Sequence, residues 1–572
     1  MTAAVGNGSP GSGHEVARAL RGMAQATRRA FLGMAALAML ATAPGTLRAD
    51  DPEGVEPESS FIVVFAGRTG ESGSEVWSTR RTTGSTFLVA DIRPGSQGSN
   101  PGPFWNMGDG TALFMADDGT HGRELWVTDG GTARLVGDLS PGAQSSQIHG
   151  SRLKVIRGGL AIFGLCSFYC DDAEAWVSWG GGAWPLKDES GEQVRFTDLF
   201  AREVEQRVAP VDTNRFVMAA ESPGYRDQLW LLEGRSGADA RATPILDRDG
   251  DPIQGPRQFT PLGDGTVLFF AFQWKSGPAL WITDGTPRGT RIVRKDFPGV
   301  SSQLHLHRLT SPRPGFAVFL TGAIGGDDWA VWSTDGTRAG TRRARVVPGS
   351  SGGLWNFAVL NDEWILFQLS NGNLWFTNGQ REGTGISFRA DRLISLTPIG
   401  FDAALFAYPH PRRTAGGPLH GFEPWVVKGN PPRPQLLRNI DRRIDDDGKH
   451  RGSLDDIPFE VTVLSPGFAV FPASDGQEGR DIWFTNIGAA TTRKVRELSN
   501  IAGAQIIDGT FGPLGGGSAA FTMWTYDGVT WNYPQIWMTD GSRGGTRALC
   551  KGVYGSAFTP LGAFGEASEE RA

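Results

Sequence analysis

From residue 61 onward the chain alternates short apolar patches with breaks rich in Gly, Pro, Asp and Ser. Residues 259–294 show the rhythm most plainly. The patches Phe259–Gly265, Thr266–Ala271, Ala279–Thr283 and Thr290–Arg294 are short, rich in β-branched and aromatic side chains, and bounded by turn formers. Such patches predict β-strands, since a helix needs apolar positions recurring every three to four residues over a longer run. The Asp284-Gly285 step predicts a tight hairpin between the third and fourth strands. Gly takes positive φ freely there, and Asp bonds its own backbone.

This four-patch unit recurs ten times. Its third patch carries an anchor tryptophan: Trp77, Trp126, Trp176, Trp230, Trp281, Trp332, Trp375, Trp425, Trp483 and Trp537. The spacings are 49, 50, 54, 51, 51, 43, 50, 58 and 54 residues, so ten of the 19 Trp occupy one repeat position. Four short strands in about 50 residues is the signature of a β-propeller blade. The first unit starts directly at Phe61–Phe65 and lacks the opening patch, whereas the last patch of the chain, Ala557–Gly562, has that patch's form. The fold class read from this is all-β: a β-propeller of about ten four-stranded blades over residues 61–564. The preferred arrangement is one closed ring in which the C-terminal strand completes the first blade. Two smaller rings are the alternative left open.

The clearest copies of the unit run over Trp281–Thr290 and Trp332–Thr341, with others at Glu124–Gly130 and Ile536–Ser542. The unit resembles the ELWxxDGT repeat of exported bacterial proteins, whose fuller pattern is E-L-W-x-T-D-G-T-x-x-G-T. The likeness spans residues 61–562 and weakens in the third, fourth and eighth units, where the Asp-Gly step is lost at Gly180, Gly234 and Gly429. It implies the propeller fold and no defined activity.

Composition adds a compartment. The 80 Gly and 35 Pro among 572 residues exclude a mostly helical chain. Thr27-Arg28-Arg29-Ala30-Phe31-Leu32 opens an apolar run ending at Ala43, too short to span a bilayer, for which about 20 residues are needed. This segment resembles the S/T-R-R-x-F-L motif of twin-arginine (Tat) signals, which implies export by the Tat route to a periplasmic or extracellular location. Residues 1–49 are read as the signal peptide, 50–60 as a short linker and 565–572 as a polar tail. No other run is long and apolar enough to cross a membrane, so no membrane span is expected in the mature chain. Residues 1–49 hold five Arg and one Glu, so their removal takes the net charge from −6 to −10. That balance argues against nucleic acid as a partner. Three Cys exclude a disulfide scaffold. Cys166 and Cys170 are close enough to bridge across a local turn, and Cys550 is left over.

Candidate chemistry is sparse. The hairpin acids Asp129, Asp284, Asp335 and Asp540 read as turn-stabilising residues. Asp247, Asp249 and Asp251 alternate as an oxygen-ligand loop requires, which makes calcium the one candidate cofactor. The loop lacks the later Gly and acidic ligand of a complete EF-hand loop, and a solvated acidic loop is the preferred reading; no other cofactor or metal is expected. His305 and His307 share one strand face without an assignable third ligand. Nucleophile-elbow, zinc-helix and phosphate-loop motifs are missing, so catalytic residues are unassigned and an enzyme is the less favoured class.

The aromatic residues are more informative. Five of the six Tyr, namely Tyr169, Tyr225, Tyr408, Tyr526 and Tyr533, fall between the second patch and the anchor Trp of their units. The same loops carry His410, Arg412 and His420 in the eighth unit and Trp524 and Trp531 in the tenth. In a propeller these loops share one face with the interblade connections. Tyr and Trp supply flat apolar area with a polar tip, suited to sugars, peptides or proteins. The expectation is an exported, non-catalytic β-propeller that binds a protein partner or glycan through this aromatic face. The alternatives are an exported propeller enzyme acting on glycans, a hydrolase or lyase with acids from several blades near the channel, and a structural, envelope-associated repeat protein.

Overall fold

In the computed structural model the chain separates into Met1–Glu58, outside the described residues, and Ser59–Ala572. The structure describes residues 61–563 apart from 70–72, 81–84, 149–152, 158, 166–172, 197–206, 223–224, 235–236, 274–276, 298–303, 324–328, 348–352, 390–392, 410–420, 444–451, 455–458, 477–478, 499–504, 508–509, 525–533 and 550–553. Their strands form ten antiparallel blades of four main strands each. From blade 1 to blade 10 the first strands are Tyr554–Ala563, Phe104–Asn106, Leu153–Arg157, Val208–Pro210, Gln254–Pro261, Leu304–Arg313, Leu354–Val359, Ile394–Gly400, Thr462–Ser465 and Gly512–Gly515. In blades 3 to 5 extra pairings run between neighbours. Arg195–Phe196 bridges blades 3 and 4, Lys187–Asp188 lies parallel to Arg241–Pro244, and Gln228 pairs with Gln254.

The C-terminal strand closes the ring. Tyr554–Ala563 pairs antiparallel with Phe61–Arg68, setting Phe558 opposite Phe65 and Thr559 opposite Val64. Blade 1 is thus built from both ends of the described chain, and its inner edge is covered. Buried clusters confirm a single circuit of ten, because every pair of successive blades shares one. Blades 10 and 1 meet at Leu514, Ala520, Met538, Val63 and Phe65, and blades 1 and 2 meet at Val64, Leu561 and Ala112. Blades 5 and 6 meet at Leu268, Phe270, Phe319 and Trp332.

Strand alternation explains these clusters, since neighbouring side chains on one strand face opposite blades. In nine blades a Phe on the second strand lies directly opposite the anchor Trp, as in the Phe114–Trp126, Phe269–Trp281 and Phe319–Trp332 pairs. Met218 fills the Phe position in blade 4. In these three pairs the ring centroids are 6.5, 6.2 and 6.1 Å apart. Each such side chain, fully buried, stabilises the ring by roughly 1.5–3 kcal/mol.

The gap between blades widens outward from the first strands, and the bonding changes with it. At the hub the contacts are direct: Asn106 Nδ2 donates to the Pro560 carbonyl at 2.6 Å and Thr260 Oγ1 to the Leu309 carbonyl at 2.9 Å. At the rim, arginines span the distance. Arg294, Arg345, Arg438 and Arg496, from blades 5, 6, 8 and 9, donate to the Thr341, Thr384, Thr492 and Thr546 carbonyls of the next blade. Arg294, Arg438 and Arg496 also lie 4.9, 5.4 and 5.7 Å from the ring centres of Trp332, Trp483 and Trp537. The anchor Trp is therefore a blade-to-blade contact, capped by the previous blade's Arg.

Candidate functional site

The repeat motif is occupied in holding its own turn. In blade 5 Thr283 Oγ1 accepts the Gly285 N–H at 3.0 Å and meets Thr290 Oγ1 at 2.7 Å. Asp284 Oδ1 accepts the Thr286 N–H and hydroxyl at 2.8 and 2.7 Å, and Thr286 Oγ1 accepts the Gly289 N–H at 3.0 Å. Gly285 has φ +83°, and a Cβ on Gly289 would lie 2.0 Å from the Asp284 carboxylate. The paired Thr hydroxyls recur at Thr334–Thr341, Thr377–Thr384 and Thr539–Thr546. Every polar residue of T-D-G-T-x-x-G-T thus has an intramolecular task.

The acid two residues before the anchor Trp has another. Glu75 accepts the Ile92 and Ser99 N–H groups at 3.0 and 2.8 Å and the Ser99 hydroxyl at 2.6 Å. Glu124 does the same with Leu139 and Ser146. Glu423 takes Ile440 at 3.0 Å, Asp441 at 3.2 Å and the Ser453 hydroxyl at 2.8 Å. Burial raises the carboxyl pKa of Glu75 and Glu124 above the ordinary value and pushes Glu423 up to about 7. These carboxylates tie the start of the third strand to the interblade loop, which sets both on one face of the ring. Sequence reasoning treated the Glu as part of a motif and gave it no role. The available signal was an acid at a strand position whose alternation faces inward.

The residues expected on the aromatic face divide unevenly. Tyr408 belongs to a strand, Ala403–Pro409, that extends beyond the expected loop boundary. Packing holds it there: its ring lies 4.7 Å from Phe388 and 5.8 Å from Trp425, and its carbonyl accepts the Trp425 indole N–H at 3.1 Å. Tyr225 opens the strand Tyr225–Glu233 and pairs with Ser222. Trp524 ends the strand Ser518–Trp524 and is half-buried. Tyr169, His410, Arg412, His420, Tyr526, Trp531 and Tyr533 lie outside the described residues, as do Cys166 and Cys170.

The acidic loop folds on itself. Asp247 Oδ1 accepts the Asp249 and Asp251 N–H groups at 2.9 and 2.8 Å, and Leu246 bridges to Pro252. Among the described residues no three His, Cys, Asp or Glu side chains form a group able to hold a metal ion. The His307 ring sits 5.3 Å from Trp329.

The wall of the central channel, which the sequence did not reveal, brings other residues together. It is made by the ten first strands, flanked on both sides by neighbouring blades and outside by their second strands. Exposure on such a strand is exposure to the channel. Trp355 is 55 % exposed, and Arg257 and Arg308 are exposed. In blades 5, 6 and 8 the first strand bulges opposite the Phe that faces the anchor Trp, shown by register breaks between Arg257 and Thr260, His307 and Thr310, and Ile394 and Thr397, and in blade 7 the break between Leu354 and Asn356 lies nearer the start of the strand. Gln258, Arg308 and Ser395 take φ of +56°, +53° and +49° at these breaks. Left-handed backbone at non-Gly residues is uncommon and costs about 1–3 kcal/mol where strained, and bulges re-aim side chains. In blades 7 and 8 the bulge lies at the start of the first strand, beside the interblade loops, and in blades 5 and 6 it lies farther along the strand, so together they run from the channel mouth into its wall.

The wall also has a sign. Among their described side chains the ten first strands hold Lys154, Arg257, Arg308 and, at the far end against the Asp362 carbonyl, Arg313, and within the strand bounds there is no Asp or Glu. This contrasts with a chain of net charge −6. A channel lined by one sign of charge concentrates counter-charged ligand.

No family model and no curated relative matches the sequence. Solved structures similar to it include the β-propeller domain of the Trilobed protease from Pyrococcus furiosus, at 9 % identity and TM-score 0.27, covering 60 % of this chain and 98 % of that one. A puromycin hydrolase is 12 % identical at TM-score 0.30, covering 75 % of this chain and 59 % of that one. A puromycin-hydrolyzing peptidase of Mycobacterium tuberculosis is 13 % identical at TM-score 0.33, covering 66 % of this chain and 58 % of that one. The chain spans less than two thirds of the length of these last two proteins. Likeness of this degree carries no statement about chemistry, and the propeller fold rests on the strand pairing itself.

Proposed function

We propose that the chain is an exported β-propeller of the ELWxxDGT-repeat kind that binds a protein partner or glycan at the channel mouth and the surrounding aromatic loops. The observation that carries this reading is the set of bulges in the first strands of blades 5 to 8, beside which Arg257, Arg308 and Trp355 are exposed. The enrichment of Tyr and Trp in the neighbouring loops supports it, and the Tat-like segment at Thr27–Leu32 supports export. A glycan-cleaving enzyme places a pair of carboxylates about the scissile bond. The first strands supply neither member, which favours binding over catalysis.

The test is capture of envelope proteins and glycans by residues 50–572, compared with the W531A/Y533A double variant. Reduced capture with an unchanged melting temperature is expected. Equal capture by both proteins sinks the aromatic-face assignment.

A further inference from the structure

Building on that binding reading, we infer that the ligand is an anionic polysaccharide whose acidic groups are received on the channel wall by Arg257 and Arg308, with Trp355 as the stacking surface for a sugar ring. Three independent features of the wall converge on it.

The first is geometry. Arg308 and Trp355 stand on neighbouring blades, and the Arg308 guanidinium lies 5.9 Å from the ring centre of Phe357, two residues from Trp355 on the same strand. Arg257 occupies the equivalent region of the blade before. The three side chains thus stand on the first strands of three successive blades along the channel wall. The second is backbone. Arg308 holds its place through a left-handed conformation that a simple strand would avoid, and Trp355 is the extra residue of its bulge. Regular pairing would turn both toward a blade interface, as it does the anchor Trp residues. The third is charge. Within their bounds the ten first strands hold basic residues and no Asp or Glu, inside an acidic protein.

Together these select the ligand. Guanidinium groups bind carboxylate, sulfate or phosphate oxygens with two parallel hydrogen bonds. A flat exposed indole offers its apolar face to the C–H face of a sugar ring, as aromatic surfaces with a polar edge do in recognition. Single-stranded nucleic acid also combines anions with rings, but platforms for it present several aromatics along a continuous positive groove. Here the arc exposes one Trp, where such a platform needs several.

Titration of residues 50–572 with size-matched polygalacturonate, neutral dextran, poly-glutamate and a 20-mer of thymidylate tests the assignment. Polygalacturonate should bind most tightly, weakening as NaCl rises from 50 to 300 mM. The R257Q/R308Q variant should lose about tenfold or more in affinity, together with most of the salt dependence. Gln is compatible with the left-handed site, because Gln258 holds the corresponding position in blade 5. W355A should weaken polygalacturonate while leaving the salt dependence in place. Tighter binding of thymidylate or poly-glutamate overturns the polysaccharide assignment. If R257Q/R308Q, with an unchanged melting temperature, binds polygalacturonate as wild type does while W531A/Y533A does not, the channel assignment falls and the loop-face reading stands. If none of the probes binds and envelope capture is also absent, both fall.

Discussion

The turn chemistry of the repeat can be tested by a double-mutant cycle at Asp335 and Gly340. A Cβ on Gly340 would lie 2.1 Å from the Asp335 carboxyl atoms, while the φ of Gly340 is not in the left-handed region. The obstacle to Gly340→Ala is thus one side chain, not the backbone. Overpacking of this kind costs about 1–3 kcal/mol. Asp335 is exposed and can swing away, but doing so breaks its bonds to the Thr337 N–H and hydroxyl, at 2.8 and 2.6 Å. Loss of those bonds costs about 1–2 kcal/mol, and D335A pays the same directly. In D335A/G340A the carboxylate is already gone, and with it the three atoms nearest the added methyl. Replacing Gly then restricts the unfolded chain and stabilises by about 0.4–1 kcal/mol. The double variant should therefore be at least as stable as D335A, giving a favourable coupling of about 1–3 kcal/mol. Urea midpoints of the four proteins, followed by Trp fluorescence, measure it. Simple addition of the two single penalties refutes this account of why the repeat ends in Gly-Thr.

Three further outcomes are expected. Because the Glu423 carboxyl is raised from its ordinary 4.5 to about 7, folding favours its protonated form. That stabilisation is complete below pH 4.5 and is lost as pH rises through 7. Melting temperatures of wild type and E423Q between pH 4.5 and 8 should show the variant gaining on wild type as pH rises, and a constant difference contradicts the raised value. R294A removes the 2.9 Å bond to the Thr341 carbonyl and the contact over Trp332, for an expected loss of about 1–3 kcal/mol by denaturant titration, with R294K recovering only part. Ending the chain after residue 552 deletes the strand that pairs with Phe61–Arg68 and uncovers Val63 and Phe65. Limited proteolysis should then cut blade 1 first and light scattering should show association, whereas an unchanged digestion pattern argues against closure by this strand.

Much of the fold was legible because the signals are local and repeated ten times. A third strand ending in Thr-Asp-Gly specifies its own hairpin within a few residues, and the missing first patch at Phe61 matches the surplus patch before Gly562. The expected strands of blade 5 fall within a few residues of those observed. Tyr408 departs from its expected loop because packing on Phe388 and Trp425 extends the strand past the turn-like composition that follows. Packing energy at that residue outweighs local turn preference.

By itself, then, the sequence determined the strands, their order within a blade, the blade repeat and the strand available for closure, since each depends on neighbours along the chain. Only the tertiary structure decided that ten blades share one circuit, that Glu75, Glu124 and Glu423 hold interblade loops, and that the channel wall is basic. Those facts depend on residues tens of positions apart meeting across blade interfaces. The bulges that aim Arg308 and Trp355 shift strand register locally, so alternation read along the chain points to the wrong neighbour at those residues.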